Sequence, residues 1–431
     1  MGKVKIGDLF ALEKGSLQSS KCTAGEYDFI TASKEWKTHN EYSHDTEALI
    51  FAAMASGSLG RTHYVNGKFI TSDLCYILTP KDSKKYPINL KFYHFVFNSL
   101  RDEIVKNTKS GTSKESINQT NLRKYEIPYF DIEQQNVWIE RLLQTKSIKE
   151  SLEEEIQTQQ QLLKKLRQSI LQEAIEGKLT KEWREKNPDI ESASVLLEKI
   201  KQEKEQLVKE KKIKKQKPLP LISEDEIPFE IPESWEWCRL GDIVLSYQNG
   251  ISKRSGEGSK SIVLRLADIK NYKVDLSDKR AINLTEKEKE KYALEENDIL
   301  VTRVNGSVDI VGNFNLITTH SDFLAYCDHF IRLRFVNKSI VSEYIEKVEK
   351  TNLIREEIKN KFKTTSGQKT INQGHLANLK IPLPPHKEQK EIVKKIENLF
   401  ALCDKLEKEI QSSKKSSEQL MQAVLKEAFE K

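Results

Sequence analysis

The feature that most constrains this chain is that it repeats itself. Residues 117–128 read INQTNLRKYEIP and residues 371–382 read INQGHLANLKIP. The offset of 254 residues holds without a gap from there on. Gln135 matches Gln389, Ile139 matches Val393, Leu142 matches Ile396, Leu152 matches Leu406, Ile156 matches Ile410 and Leu166 matches Leu420. LQEAIE at 171–176 matches LKEAFE at 425–430. The front of each half repeats as well. Ile6-Gly7-Asp8-Leu9 with Gly15 downstream answers Leu240-Gly241-Asp242-Ile243 with Gly250, at an offset of 234–235. Two long copies are too few for a solenoid. They predict a pseudo-dimer on one chain, a variable module and then a shared helical module, used twice.

The shared module is a long helix. Between 133 and 176 there is no Gly or Pro, and Leu152, Ile156, Gln159, Leu163, Leu166 and Ile170 fall at alternating steps of four and three. That is a heptad seam. The matching C-terminal seam is Leu402, Leu406, Ile410, Leu420 and Val424, with Ser413 and Ser417 at its weaker middle. Gly177 is placed to end the first helix, and Pro382, Pro384 and Pro385 precede the second. A helix with a single apolar stripe needs a partner. Each copy is the obvious partner of the other, and antiparallel pairing would put the variable modules at opposite ends of a rod.

The variable modules look α+β. Short β-like runs lie at 48–53, 68–70, 75–78, 262–266, 299–304 and 330–335, with Ser56-Gly57, Asn66-Gly67 and Asn305-Gly306 expected as turns between them. The predicted organisation is therefore a first variable domain at 1–130, a long helix at 131–177, a basic helical connector at 178–232, a second variable domain at 233–385 and a second long helix at 386–431. Within the connector, 194–217 is expected to be helical and strongly basic, either a solvated helix face or a phosphate-contacting one.

Composition enters chiefly by exclusion. Charged residues make up 32% and hydrophobic ones 37%, high and low for a compact globule, as long solvated helices would make them. Five cysteines stand singly at 22, 75, 238, 327 and 403, with no C-x-x-C pair, which argues against a disulfide framework or a structural zinc. No signal-peptide core or membrane-length apolar run is found, so a cytoplasmic location is expected. The net charge of +6 permits a polyanion partner without demanding one. No P-loop, dinucleotide fingerprint, zincin or nucleophile-elbow motif occurs. No Asn/Asp-Pro-Pro-aromatic motif occurs either, and no acid–base cluster repeats. Cys327 and His329, in YCDHF, are expected as core residues along a strand. The chain is predicted to bind and not to catalyse.

The residues then resemble a known family, the specificity (S) subunits of type I restriction–modification enzymes. The likeness is carried by GDLFALEKGSLQSS, GEYDFITASKEW and EALIFAAMASGSLGRTHYVNGKF in the first half. GDIVLSYQNG and DILVTRVNGSVDIVGNF carry it in the second, with the twice-used I-N-Q segment before each long helix and the connector ILQEAIEGKLTKEWREKNP…PFEIPESWEWCRLGDI. The resemblance implies two globular target recognition domains separated by a long antiparallel two-helix coiled coil, each reading one half of a split double-stranded DNA site. It implies docking of two modification (M) subunits that methylate adenine, and of restriction (R) subunits. No cofactor is implied on this chain, with S-adenosylmethionine, ATP and Mg carried by the partner subunits. Ile175 and Phe429 are expected on exposed helix stripes that an M subunit covers.

Two unlike heads imply two unlike half-sites, and heads on one face of a duplex imply an unread gap of roughly 6 base pairs. Polar and basic loop residues are the contact candidates. In the first head they are Ser56, Ser58, Arg61, Lys109, Ser110, Thr112 and Lys114. In the second they are Lys253, Arg254, Arg303, Asn305, Lys363, Thr364, Ser366, Gln368 and Lys369. Arg303 and Asn305 are of the types that pair bidentately with guanine and adenine. The Ile-Asn-Gln triplets are expected to anchor each head to its helix. Two alternatives stay open: a specificity subunit whose partner chain fuses restriction and modification, and a coiled-coil scaffold with two protein-binding heads.

Overall fold

The computed structural model describes residues 2–54, 57–110, 115–270, 272–318, 322–336, 338–365 and 367–429. The chain divides into two compact units, residues 1–159 with 410–431, and residues 160–409. In both, the repeated sequence builds the same frame. Strand Gly2–Lys5 pairs antiparallel with Glu126–Tyr129, and Glu236–Arg239 pairs antiparallel with Lys380–Leu383. Each first strand runs into a one-turn helix, Ile6–Leu9 or Leu240–Ile243. The entry is fixed by the same bond in both units, Ile6 N to Tyr125 O at 2.9 Å and Leu240 N to Leu379 O at 2.8 Å. Gly15 and Gly250 recur because the chain just past the end of a neighbouring strand comes too close for a side chain. A Cβ there would stand 2.1 Å from the Ser72 or the Cys327 carbonyl oxygen.

The Ile-Asn-Gln triplets have one role per residue. Ile117 and Ile371 are fully buried. Asn118 and Asn372 cap short helices, Gln119–Lys124 and Gln373–Ala377, by accepting from Asn121 N and His375 N. An Asn at this position satisfies an amide that the helix itself leaves unpaired. Gln119 then donates to Leu12 O at 2.6 Å, and Gln373 to Asn249 Oδ1 at 2.8 Å, tying each short helix to the first long strand of its unit.

In the first unit that strand, Phe10–Lys14, begins a six-stranded sheet. The order continues Cys75–Pro80, His44–Ala52, Thr62–Thr71, Tyr27–Ile30 and Lys37–His39. The run ALIFAA does not alternate with polar residues because both faces of its strand are covered. Leu49 and Phe51 join one apolar cluster, while Ala48, Ile50 and Ala52 join another. Asn66-Gly67, expected as a turn, instead lies inside strand Thr62–Thr71, paired in register with Thr46 and Glu47. Gly67 holds a positive φ of +120° there with open space around it, and the chain reversal falls between 53 and 61.

The second unit forms an antiparallel sheet in the order Val244–Asn249, Phe330–Phe335, Ile299–Thr302, Phe314–Leu316. A second sheet runs Ala281–Leu284, Ser259–Leu264, Leu324–Tyr326. Cys327 and His329 sit in the turn before strand Phe330–Phe335, not along it. The connector helix spans Ala193–Lys209, shorter than the expected 194–217. It ends where Lys211 turns left-handed (φ 57°), in a run of lysines whose like charges oppose a further turn. Leu196 and Ile200 bury its apolar face, and Lys204 reaches the Gly241 carbonyl at 2.8 Å.

The long helices span Ile132–Ile175 and His386–Phe429, 44 residues each. Within the first unit Arg141 pairs with Glu427, and Phe130 packs near Phe429. Within the second, Arg167 pairs with Asp404 and Glu407, while Lys395 reaches the Leu179 carbonyl just beyond the first helix. The helices therefore run antiparallel. The seam is narrower than its heptads suggest. Ile156, Leu163, Ile170 and Ile410 are buried, Leu420 and Val424 half-buried, and Leu152, Leu166, Leu402 and Leu406 exposed. Two helices alone cover about one position per heptad. That position is Ile156, Leu163 and Ile170 on one helix and Cys403, Ile410 and Ser417 on the other, while Leu142 joins the first unit's apolar cluster. No helix among the described residues is long and apolar enough to cross a membrane.

Candidate nucleic-acid interface

Just ahead of each Ile-Asn-Gln triplet the chain makes a small hairpin. In the first unit Lys109–Ser110 pairs with Ser116–Ile117. In the second, Lys363–Thr365 pairs with Gln368–Thr370. Lys109 and Lys363, Ser110 and Thr364, and Ile117 and Ile371 stand at the same 254-residue offset. Each hairpin is bonded beside the loop that follows a central strand, through Ile117 N to Ala53 O at 2.8 Å and Ile371 N to Arg303 O at 3.0 Å. In the second unit strand Val304–Asn305 adds to the hairpin as a third strand. A loop and a hairpin are thus presented together in each unit, on a frame that repeats while their own sequences differ.

The structure gathers most of the contact candidates onto these two elements. In the second unit Arg303, Asn305, Lys363, Thr364, Gln368 and Lys369 share the three-stranded patch, with Lys363, Thr364 and Gln368 exposed. Lys369 is tied to Gly306 O at 3.0 Å. Arg303 donates to Asp328 O at 3.1 Å, and the Asn305 side chain accepts from Ser307 N, which shapes its own loop. Lys253 and Arg254 lie elsewhere, beside the second sheet. Lys253 is committed to an ion pair with Glu288 at 2.6 Å, which holds that carboxyl down at about 2. Arg254 is exposed.

In the first unit Lys109 pairs with Glu115 at 2.7 Å, and the Ser110 hydroxyl donates to Ser116 O. Arg61 is turned inward, donating to Ala32 O at 2.9 Å and to the Ser58 hydroxyl at 3.1 Å. It braces the loop. Ser56, Thr112, Lys114 and Ser366 lie outside the described residues.

Reading the repeat from residue 117 onward missed its upstream part. The same offset aligns Arg101-Asp102-Glu103-Ile104 with Arg355-Glu356-Glu357-Ile358, and Lys109 with Lys363. That match was present in the sequence, diluted by the unlike residues between. It marks the helices Arg101–Thr108 and Asn352–Asn360 as part of the frame under each loop.

Two further expectations are overturned by burial. Ile175 and Phe429 are not exposed stripes; they are buried at 1% and 5% exposure, Phe429 against Phe92 and Phe130. The exposed apolar side chains of the helices are instead Val137, Leu143, Ile148 and Leu152 in the first unit, and Leu162, Leu166, Leu402 and Leu406 in the second. Among the described residues one trio could offer metal ligands together, Cys327, Asp328 and His329, with ligand atoms within 4.8 Å. All three come from one turn, where Cys327 is half-buried and His329 exposed, so they are not the core pair the sequence suggests, and burial pushes the thiol up.

Comparison with known proteins gives a consistent picture. The family model described as the type I restriction modification DNA specificity domain matches twice, over residues 1–162 and 232–413. The StySPI specificity subunit of the type I restriction enzyme of Salmonella potsdam is 30% identical over 386 residues, 88% of this chain and 73% of that one. The EcoKI specificity subunit of Escherichia coli (strain K12) is 29% identical over 388 residues, 88% of this chain and 74% of that one. Among solved structures, the HsdS subunit from Thermoanaerobacter tengcongensis matches with a TM-score of 0.54 at 15% identity, covering 99% of this chain and 96% of that one.

Proposed function

Because the chain belongs to the type I restriction modification DNA specificity family, the non-catalytic specificity subunits of type I restriction–modification systems, we propose that its two units read the two halves of an asymmetric, bipartite DNA site. The observation that carries this reading is the pairing of a repeated frame with unrepeated loops. The frame recurs in gapless register, from Arg101 and Arg355 to the ends of the long helices, while the loop sequence is AMASGSLG in one unit and RVNGSVDIVG in the other. A frame that places two different loops in the same setting is suited to two different half-sites. Lysines of the hairpins supply sequence-independent phosphate contact, and the loop side chains supply base-edge contact.

DNA and the modification and restriction subunits are the partners of this reading, and the cytoplasm is its setting. The exposed leucines and isoleucines along the long helices form the docking faces. One group lies in each unit, so the chain takes two modification subunits. S-adenosylmethionine, ATP and Mg belong to those partners and not to this chain. The test is to map methylated adenines in DNA from cells expressing this chain with its modification subunit. Two unlike half-sites separated by a constant gap are expected; a symmetric site would refute the assignment of one half-site to each unit. A saturated complex of one modification subunit per chain, by native mass, would refute the stoichiometry.

A further inference from the structure

One pair of residues joins the frame to the loops by the same contact in both units. In the first unit the Arg101 guanidinium donates from Nε to Leu59 O at 2.8 Å and from Nη2 to Gly57 O at 3.0 Å. In the second, Arg355 Nη2 donates to the carbonyls of Val308, Asp309 and Val311 at 3.2, 3.3 and 3.2 Å. The arginines stand at the repeat offset, yet the loops they hold differ in length and sequence. Contacts to main-chain carbonyls explain how that is possible, because a carbonyl is present whatever the side chain.

A glycine completes the device. Gly60 and Gly312 close the two loops with φ of +77° and +79°. Each returns its amide to the strand that enters the loop, Gly60 N to Ala52 O and Gly312 N to Thr302 O, both at 2.8 Å. A Cβ on Gly60 would come 2.7 Å from Val105 Cγ2 and 3.1 Å from Arg101 Cγ; on Gly312 it would come 2.5 Å from Ile358 Cγ2. The glycine is what lets the arginine-bearing helix approach the loop. In the second unit Arg355 is itself aimed by the buried Glu349, Nη1 to Oε1 at 2.6 Å.

We infer that Arg101 and Arg355 are positioning residues for sequence reading: each clamps the main chain of its unit's recognition loop, so that one frame can present any loop rigidly enough to tell bases apart. The inference rests on the proposed reading of DNA by these loops. The fork geometry matters: Arg101 spreads its loop bonds over Nε and Nη2, and Arg355 gives Nη2 to the loop while Nη1 is held by Glu349, a division a single ammonium cannot make. Loosening the clamp frees the loop to accept wrong bases without removing the lysines that hold the backbone. Its signature is lost discrimination with retained affinity, confined to one half-site.

The experiment uses the full chain in complex with its modification subunit. Binding is measured to the mapped target and to every single-base variant of both half-sites, for wild type, Arg355→Lys and Arg101→Lys. Arg355→Lys is expected to lower discrimination at the half-site read by the second unit by about tenfold or more, a sizeable part of what one bidentate base contact supplies. Discrimination at the other half-site should stay unchanged, and Arg101→Lys should do the reverse. Val341→Ala, which thins the second unit's core without removing a loop hydrogen bond, is compared with Arg355→Lys at matched loss of stability and should keep its discrimination. Equal loss in Val341→Ala, loss at both half-sites, or unaltered discrimination in both lysine variants would each overturn the clamp. A wild-type complex that binds all duplexes alike would instead overturn the DNA reading itself, so the two failures are distinct.

Discussion

The two units share a frame and both bury aromatic rings, Tyr326, Tyr344 and Phe330 in the second among them, but they differ in what ties those interiors together. In the first, rings pack on rings. Phe10 meets Tyr93 and Phe97 at ring distances of 5.5 and 5.7 Å, and Phe92 meets Phe130 and Phe429 at 5.4 and 5.6 Å, all edge-on. The second buries acids. Glu388 takes Thr180 at 2.7 Å, Trp235 at 2.9 Å and the Arg184 guanidinium, and Asp298 takes Arg334 at 2.6 Å. The contrast at one matched position is instructive. Glu388 is fully buried, whereas Gln134, its equivalent in the first long helix, is exposed. The helix start is the same. What differs is the covering chain: Thr180 and Arg184 of the connector, and Trp235 just beyond it, fold over the second copy. The repeat fixes where a residue stands, and the chain that happens to cover it decides what chemistry it must have.

The largest effect is expected in the first unit. Phe92→Ala removes the ring that joins Phe130, Phe429 and Tyr93, at a cost of about 3–5 kcal/mol. Hydrogen exchange should show amides of the first sheet opening together while those of the second unit keep their protection. Equal loss in both units would show that the two interiors unfold as one.

Next comes the buried acid. Arg184→Ala leaves the Glu388 charge without its cation and should cost roughly 3 kcal/mol. Glu388→Gln keeps the shape and removes the charge; its one carbonyl oxygen can still accept from Trp235 while its amide donates to the Thr180 hydroxyl, so it should cost less. In the double variant most of the Arg184→Ala loss should vanish. A urea-midpoint cycle that came out additive would show that the pair is not coupled and that the second unit does not depend on buried charge.

The same comparison shows what the sequence made legible. Repeated elements were visible because identical physics acted on them twice, at Ile117 and Ile371, Asn118 and Asn372, Gly15 and Gly250; their separate roles as core, caps and close approaches emerge only in the fold. The heads were legible only as strands. Their order, and the absorption of Asn66-Gly67 into a strand, depend on partners distant in sequence that override local turn chemistry. Ile175 and Phe429 were misplaced for a related reason. A helical stripe shows that a face is apolar without showing whether this chain or another one covers it. Of the candidate contacts, Arg61 and Lys253 could not be told from Lys363 by type, since only the fold shows that Ala32 O, Ser58 and Glu288 already hold them.

Acid and base should separate the units. Burial lowers the His94 imidazole to about 4, helped by nearby His63 and Lys146. The folded first unit then binds fewer protons than the unfolded chain between pH 6.5 and 4, so its stability falls as pH drops through that range, by up to about 3 kcal/mol. In the second unit burial raises the Glu349 carboxyl to about 7 in spite of Arg355. The folded state there binds more protons, so the contribution is full below about 4.5 and is lost as pH rises through 7. Between pH 4.5 and 6.5 the two groups act in opposite directions. His94→Gln should flatten the acid loss, and Glu349→Gln should flatten the loss toward neutral pH, each measured as urea midpoint against pH. Matching slopes in wild type and variant would rule out either group as the cause.

The smallest effect tests the shared frame instead of the difference. Asn118 and Asn372 cap matched helices with side-chain oxygens 2.7 and 2.8 Å from the third amide beyond. Replacing either by Ala removes one acceptor from a helix N-terminus and should cost about 1 kcal/mol. Because both caps belong to the repeated frame, the two costs should agree within about 0.5 kcal/mol even though the interiors behind them are tied by rings in one unit and by buried charge in the other. Local hydrogen exchange at helices Gln119–Lys124 and Gln373–Ala377 reports each loss separately. Unequal costs would mean that the frame does not act independently of the core it encloses. The two units would then be variants of one fold tuned as wholes, and not one frame carrying exchangeable heads.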